Sequence, residues 1–207
     1  MALTLNTSGL TTTTSSGGAS GSAGLTTAEV TSLINTSVEY EYISSVSFVQ
    51  NANTVDITEG VDSSLYEGYR YVFTDVRFTS ASYLYFYLLR SNGNQYSDLY
   101  YSTEKNSSSD SFDYNMGGNG TAIYFDASGQ FIANDRISGY VNVNNADILN
   151  SRLTGKYGMD LSASTARSYE GSFASANLVD YSGIRFASNA GFTSDGRVDI
   201  YAKRKRT

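Results

Sequence analysis

Residues 181–207 read YSGIRFASNAGFTSDGRVDIYAKRKRT: two apolar-alternating runs, a glycine-rich stretch between them, and four consecutive basic residues after them. Ile184 and Phe186 fall on one side of a two-residue period and Arg185 on the other, which is the pattern of a β-strand with one wet face. Val198, Ile200 and Ala202 repeat that alternation. Gly191 and Gly196 bracket Phe192, Thr193, Ser194 and Asp195, and glycine supplies the positive backbone angles that hairpin loops require. The reading is a β-hairpin that closes the chain and carries Lys203–Arg206 as a cationic tail.

The same alternation recurs upstream. YISSVSFVQ (42–50), TVDITEG (54–60), YRYVFTDVRFT (69–79), SYLYFYLLR (82–90), TAIYFDAS (121–128), ISGYVNVNN (137–145) and LTGKYGMDLSA (153–163) each alternate, and turn formers separate them. With 18 tyrosines, 10 phenylalanines, 19 glycines and no proline, the composition favours many short strands joined by turns. About eight to ten strands at this spacing predict an all-β chain, an antiparallel β-sandwich or jelly roll over residues 40–207.

One strand has two faces of different character. Leu84, Phe86 and Leu88 make an aliphatic and phenyl face that reads as core, and Tyr83, Tyr85 and Tyr87 occupy the other. Three tyrosines on one side are either packing surface, shared with a loop or a neighbouring protomer, or a platform on which a glycan stacks. Packing is the preferred reading, and Tyr69, Tyr71 and Phe73 form a similar stripe.

The N-terminal region is built differently. Residues 10–24, LTTTTSSGGASGSAG, cannot bury enough apolar surface to fold alone, so residues 1–24 read as a flexible tether with an anchor at Leu3 and Leu5, a minimal strand for an outside partner. Residues 25–39 read as a short helix, with Thr26 and Glu29 as its capping box and Val30, Leu33 and Ile34 on one face. About three helical turns are marginal in isolation, so that face is expected to pack, either on its own domain or, as an oligomerisation element, on copies of itself around a symmetry axis.

Composition also excludes chemistry. The chain has no cysteine and no histidine, which removes disulfides, thiol nucleophiles, Ser-His-Asp triads and imidazole or thiolate metal ligands. What remains for an enzyme is a carboxylate pair of the glycosidase kind, and Asp56 with Glu59, Asp110 with Asp113, and Asp195 with Asp199 are the available pairs. Their flanking residues are those of ordinary strands and turns, and no enzyme and no cofactor is expected. Asn134, Asp135, Asn144 and Asp147 supply oxygens but lack the fixed spacing of a calcium loop, so they read as turn formers. The net charge is −6, and without Lys203, Arg204, Lys205 and Arg206 the body carries 10 basic against 20 acidic residues, which disfavours nucleic acid as a partner. The apolar run Tyr83–Leu89 is too short to cross a bilayer, so no membrane insertion is expected. The tail reads either as a contact for an acidic surface, most simply that of a neighbouring copy, or as a solvated terminus.

SGIRFASNAGFTSDGRVDIYAKRK (182–205) resembles the closing hairpin of β-sandwich structural proteins of marine bacteriophages, with Tyr201 and Lys203 at the corresponding places and Ala202 where a glycine is usual. YEGYRYVFTDVRFTSASYLYFYLLRSNG (66–93) is similar to a strand pair of the same domains, and GLTTAEVTSLINTSVEYEYI (24–43) to the helical lead-in of their fibre-like relatives. The resemblance implies a virion component of tail-fibre, head-fibre or capsid-decoration type, a homotrimer whose partners are other virion proteins. The alternative is a receptor-binding module that recognises host-surface glycan through Tyr83, Tyr85 and Tyr87.

Overall fold

The computed structural model describes residues 4–6, 9–11, 40–62, 64–96, 99–107, 113–125, 130–133, 135–144, 146, 152–162, 167–178 and 180–205. The chain divides into two units, Met1–Val38 and Glu39–Thr207. In the first, strand β1 (Thr4–Asn6) pairs antiparallel with β2 (Gly9–Thr11), placing Leu5 opposite Leu10. The strand expected around Leu3 and Leu5 thus pairs within its own chain, while Leu3 lies outside the described residues. So do residues 12–39, and with them the expected helix and the Val30, Leu33 and Ile34 face.

The second unit is all-β, with no helix among the described residues. Its strands are β3 (Glu41–Ser47), β4 (Thr54–Ile57), β5 (Tyr66–Val76), β6 (Leu84–Arg90), β7 (Leu99–Ser107), β8 (Asp113–Gly120), β9 (Ile123–Tyr124), β10 (Arg136–Asn144), β11 (Arg152–Ser162), β12 (Arg167–Leu178), β13 (Tyr181–Ser188) and β14 (Arg197–Arg204). Two antiparallel sheets result, an eight-stranded one in the order β3-β14-β5-β10-β11-β12-β7-β8 and a four-stranded one in the order β4-β13-β6-β9. The pairing is nested: β3 with β14, β4 with β13, β5 with β10 and β6 with β9.

The inner faces of both sheets meet in one aromatic core, as a β-sandwich requires. Phe86 of the small sheet lies 5.6 Å from Tyr157 and 5.7 Å from Phe173 of the large one, and Phe73 of the large sheet lies 5.4 Å from Phe186 of the small one. Leu84, Phe86 and Leu88 are buried as the alternation predicts. The Tyr69, Tyr71 and Phe73 stripe is entirely inside. Tyrosine tolerates that burial because its hydroxyl finds a partner: Tyr71 pairs with the Tyr181 hydroxyl at 2.7 Å, and the Asp62 backbone N–H donates to Tyr69 at 2.8 Å. Burial pushes the Tyr181 phenol well above its ordinary pKa.

Two expectations about the C-terminal stretch are corrected. β13 and β14 do not form a hairpin, because β13 pairs with β4 and β6 whereas β14 pairs with β3 and β5. Residues 189–196 instead cross from one sheet to the other, and Phe192 in that link is fully buried with its ring 4.6 Å from Phe48. The link is further held by Asn51 N–H donating to the Phe192 carbonyl and Phe192 N–H donating to the Ala52 carbonyl, each at 2.9 Å. Gly191 and Gly196 do not adopt positive φ; they are glycines because a Cβ would lie 2.7 Å from Asn51 Cα and 3.0 Å from Phe48 Cδ2 respectively. The basic stretch, likewise, does not begin as a tail: Lys203 and Arg204 belong to β14, where Lys203 Nζ meets Glu67 at 2.9 Å and Arg204 Nε meets Glu41 at 2.8 Å. Arg206 lies outside the described residues.

Glu41 also accepts a hydrogen bond from the Tyr66 hydroxyl at 2.5 Å, so the Arg204 guanidinium first and Tyr66 second hold its carboxyl below the usual carboxylate range. A carboxylate whose pKa falls on folding stabilises above its unfolded value, near the ordinary 4.5, and that contribution disappears as pH falls through the lower folded value. Glu41→Gln is therefore expected to melt below the parent at neutral pH, with the gap closing as the solution is acidified below the carboxylate range. Melting temperatures of both proteins across pH check this, and a gap that widens in acid contradicts it.

Candidate functional site

β6 runs between β13 and β9, and its outward residues build the molecule's tyrosine-rich face. Tyr85 stands opposite Ala187 on one side and Tyr124 on the other, while Tyr87 stands opposite Arg185. Ala187 is small, which leaves the space beside Tyr85 to the neighbouring rings. Tyr85 lies 4.9 Å from Tyr124 and 5.6 Å from Tyr87, and Tyr83 lies 6.1 Å from Tyr124. The structure thus brings together the three tyrosines read from the sequence and adds Tyr124, which alternation placed on a strand but could not place beside them.

All four tyrosines are half-buried. Their mutual angles decide what the face can do. Tyr85 with Tyr87, and Tyr83 with Tyr124, meet at 87°, edge to face, and Tyr85 with Tyr124 at 34°. Edge-to-face pairs satisfy the positive ring edge against the negative ring face and are worth about 0.5–1.5 kcal/mol each beyond their buried area. A saccharide stacks on an open ring face, and in each edge-to-face pair here one ring's face is taken up by its neighbour's edge. The Tyr85 hydroxyl donates to Asn189 Oδ1 at 3.1 Å, tying the cluster to the crossing link, and burial pushes its pKa up to about 12.

The same face carries an Arg185–Asp56 pair, with Nε to Oδ1 at 2.5 Å and Nη2 to Oδ2 at 2.6 Å. It joins β13 to β4 across 129 positions of sequence, and no local signal announces it. Asp56 is therefore engaged by a guanidinium rather than set out as half of a carboxylate pair with Glu59. Asp195 faces Arg77 at 3.8 Å and Asp199 faces Arg197 at 3.4 Å, while Asp110 lies outside the described residues. Asp135 is buried and closes its own loop by accepting from the Ile132 N–H at 3.0 Å. Among the described residues no three acidic side chains gather as a metal would need, and no helix is long and apolar enough to cross a membrane. Compared with protein-family models, with curated proteins and with solved structures, the chain matches none.

Proposed function

We propose that this chain is a non-enzymatic structural component of a bacteriophage virion, a fibre or decoration protein that is attached through residues 1–24 and displays residues 40–207 outward as a homotrimer. The observation that carries this reading is the nested strand pairing. Setting aside the β7–β8 and β11–β12 hairpins, which extend the large sheet, the two remaining sets β3-β14-β5-β10 and β4-β13-β6-β9 support a jelly roll, an architecture used by viral capsid and lectin domains. The separate unit Met1–Val38 supports a division between attachment and display. The trimer axis is proposed to run by Val30, Leu33 and Ile34.

The second reading, a host-glycan receptor module using Tyr83, Tyr85 and Tyr87, is favoured by the partial exposure of those rings and disfavoured by the angles between them. One experiment addresses both. Gold-labelled antibody against the body should decorate purified particles and lose its target when residues 1–24 are deleted; protein found only in the lysate overturns the virion reading. Particles carrying Tyr85→Ala are then assayed for melting and host adsorption. Half-burial scales the full aromatic truncation down to about 1.5–3 kcal/mol, and adsorption should fall only as the protein unfolds. A Tyr85→Ala protein that melts like the parent but no longer adsorbs puts recognition ahead of structure.

A further inference from the structure

The outer face of the eight-stranded sheet carries a groove of about 530 Å³ across β5, β10 and β11, on the layer opposite the tyrosine cluster. We propose that it is a binding site for an uncharged saccharide, built from Arg70, Tyr140, Asn142 and Asp160.

Strand register places these groups. Along β10, Ser138, Tyr140 and Asn142 share the outer face, and four residue steps at about 3.3 Å set the row at about 13 Å, the length of a short oligosaccharide. Asn142 stands opposite Arg70 on β5, Tyr140 opposite Val72 on β5 and Gly158 on β11, and Ser138 opposite Asp160 on β11. The Tyr140 ring lies where a side chain at position 158 would be, since a Cβ on Gly158 would sit 2.7 Å from Tyr140 Cε1. The missing side chain lets the half-buried ring lie down over the sheet as a floor.

The polar groups around that floor are of complementary kinds. A sugar presents an apolar C–H face and a rim of hydroxyls, each able to donate and to accept, so its site needs an aromatic surface with both donors and acceptors at its edge. Arg70 supplies donors, and it is held in place: its Nε donates to Asn142 Oδ1 at 2.8 Å and its guanidinium carbon sits 5.1 Å over the Tyr40 ring. Asp160 supplies acceptors, and Ser138 and Asn142 can do both. Neither the Tyr140 hydroxyl nor the Asp160 carboxylate bonds another described residue, so both remain available to a ligand.

Charge selects among ligands. The groove holds one guanidinium and one carboxylate, and the chain as a whole carries −6. A phosphate, a nucleic-acid strand or a sulfated chain would meet Asp160 without a surplus of cations, while an uncharged polyol meets no such penalty. The groove is open and covers one side of its ligand, which sets affinity in the millimolar range per site and leaves tight attachment to repetition of sites. This proposal rests on neither the virion reading nor the tyrosine cluster.

The test is NMR of the full chain labelled on its tyrosine rings, with the Tyr140 signal assigned by its absence in Tyr140→Phe. Cellohexaose, maltohexaose, mannohexaose and chitohexaose are titrated to millimolar concentration, with a heparin hexasaccharide as the charged comparison. At least one neutral probe should shift the Tyr140 signal. Asp160→Ala, an exposed change that leaves melting unmoved, should weaken that binding on the order of tenfold, and Tyr85→Ala should leave it intact. Tyr140→Ala should abolish saturation as read on the remaining rings, with Gly158→Ala, which displaces the ring, as the substitute if that variant fails to fold. Silence of Tyr140 toward all four neutral probes, a shift with heparin alone, or binding undiminished in Asp160→Ala overturns the assignment.

Discussion

Phe86→Ala is expected to lower the melting temperature of the body by about 10–15 °C. The ring is fully buried at the centre of the interlayer contact, with Phe125, Tyr157, Phe173 and Phe186 at 5.4, 5.6, 5.7 and 6.4 Å. Two of those partners, Tyr157 and Phe173, belong to the opposite sheet, so truncation opens a cavity between the layers rather than at an edge. Surrounding backbone is held by sheet hydrogen bonds and collapses only in part, which puts the loss near the upper end of the 3–5 kcal/mol typical of a buried aromatic, and each kcal/mol is worth about 2–4 °C in a domain of this size. Tyr87, next along β6 but on the half-buried outer face, is the control, and Tyr87→Ala should cost about a third as much. Thermal melts of the two variants decide the matter; a Phe86→Ala protein that melts with the parent would mean the two sheets are not held by this cluster.

Alternation along β6 identified both of its faces, because a period of two reports which side of a strand is wet, and the structure buries Leu84, Phe86 and Leu88 accordingly. The same signal could not tell that β13 and β14 enter different sheets. Both have one dry face, and a dry face looks the same whichever neighbour supplies the hydrogen bonds. The eight-residue link from Asn189 to Gly196 is long enough either to loop back or to cross between layers, and the deciding residue, Phe192, resembled a loop aromatic until Phe48 and Phe78 closed on it. Tyr69 and Tyr71 were legible as a stripe but not as core, since their burial depends on hydroxyl partners at Asp62 and Tyr181 that only the fold brings near. The pairs Arg185–Asp56 and Arg204–Glu41 were hidden for the same reason, each spanning well over half the chain. The groove was the least visible feature: Arg70, Tyr140 and Asp160 sit on three adjacent strands, β5, β10 and β11, the first of them distant in sequence, and the one local hint was a tyrosine flanked by a glycine in ISGYVNVNN, whose more telling partner, Gly158, lies on the next strand.

Gly155→Ala should be more damaging than any truncation on this sheet, and the reason lies in what a methyl group would strike. Gly155 sits in β11 opposite Phe173 of β12 and Val143 of β10, and a Cβ there would lie 2.1 Å from Phe173 Cζ and 2.2 Å from the Asn142 carbonyl oxygen. The ring can move only at the cost of the core around Phe86, and the carbonyl belongs to the backbone of a paired neighbour and cannot turn away without breaking the β10–β11 ladder. Overpacking a core costs about 1–3 kcal/mol when side chains can yield, and a backbone obstacle should take the loss beyond that range, enough to leave a domain of ordinary stability unfolded at 37 °C or insoluble on expression. Two companions make the expectation specific. Gly158→Ala, three residues along the same strand, would first meet the half-exposed Tyr140 ring, a side chain that can yield, and should express and melt near the parent. Gly155→Ala combined with Phe173→Ala removes the ring but not the carbonyl, so it should remain as unstable as the worse of its two parents; recovery of a parent-like melt in that double variant would show that the ring alone excludes a side chain from position 155.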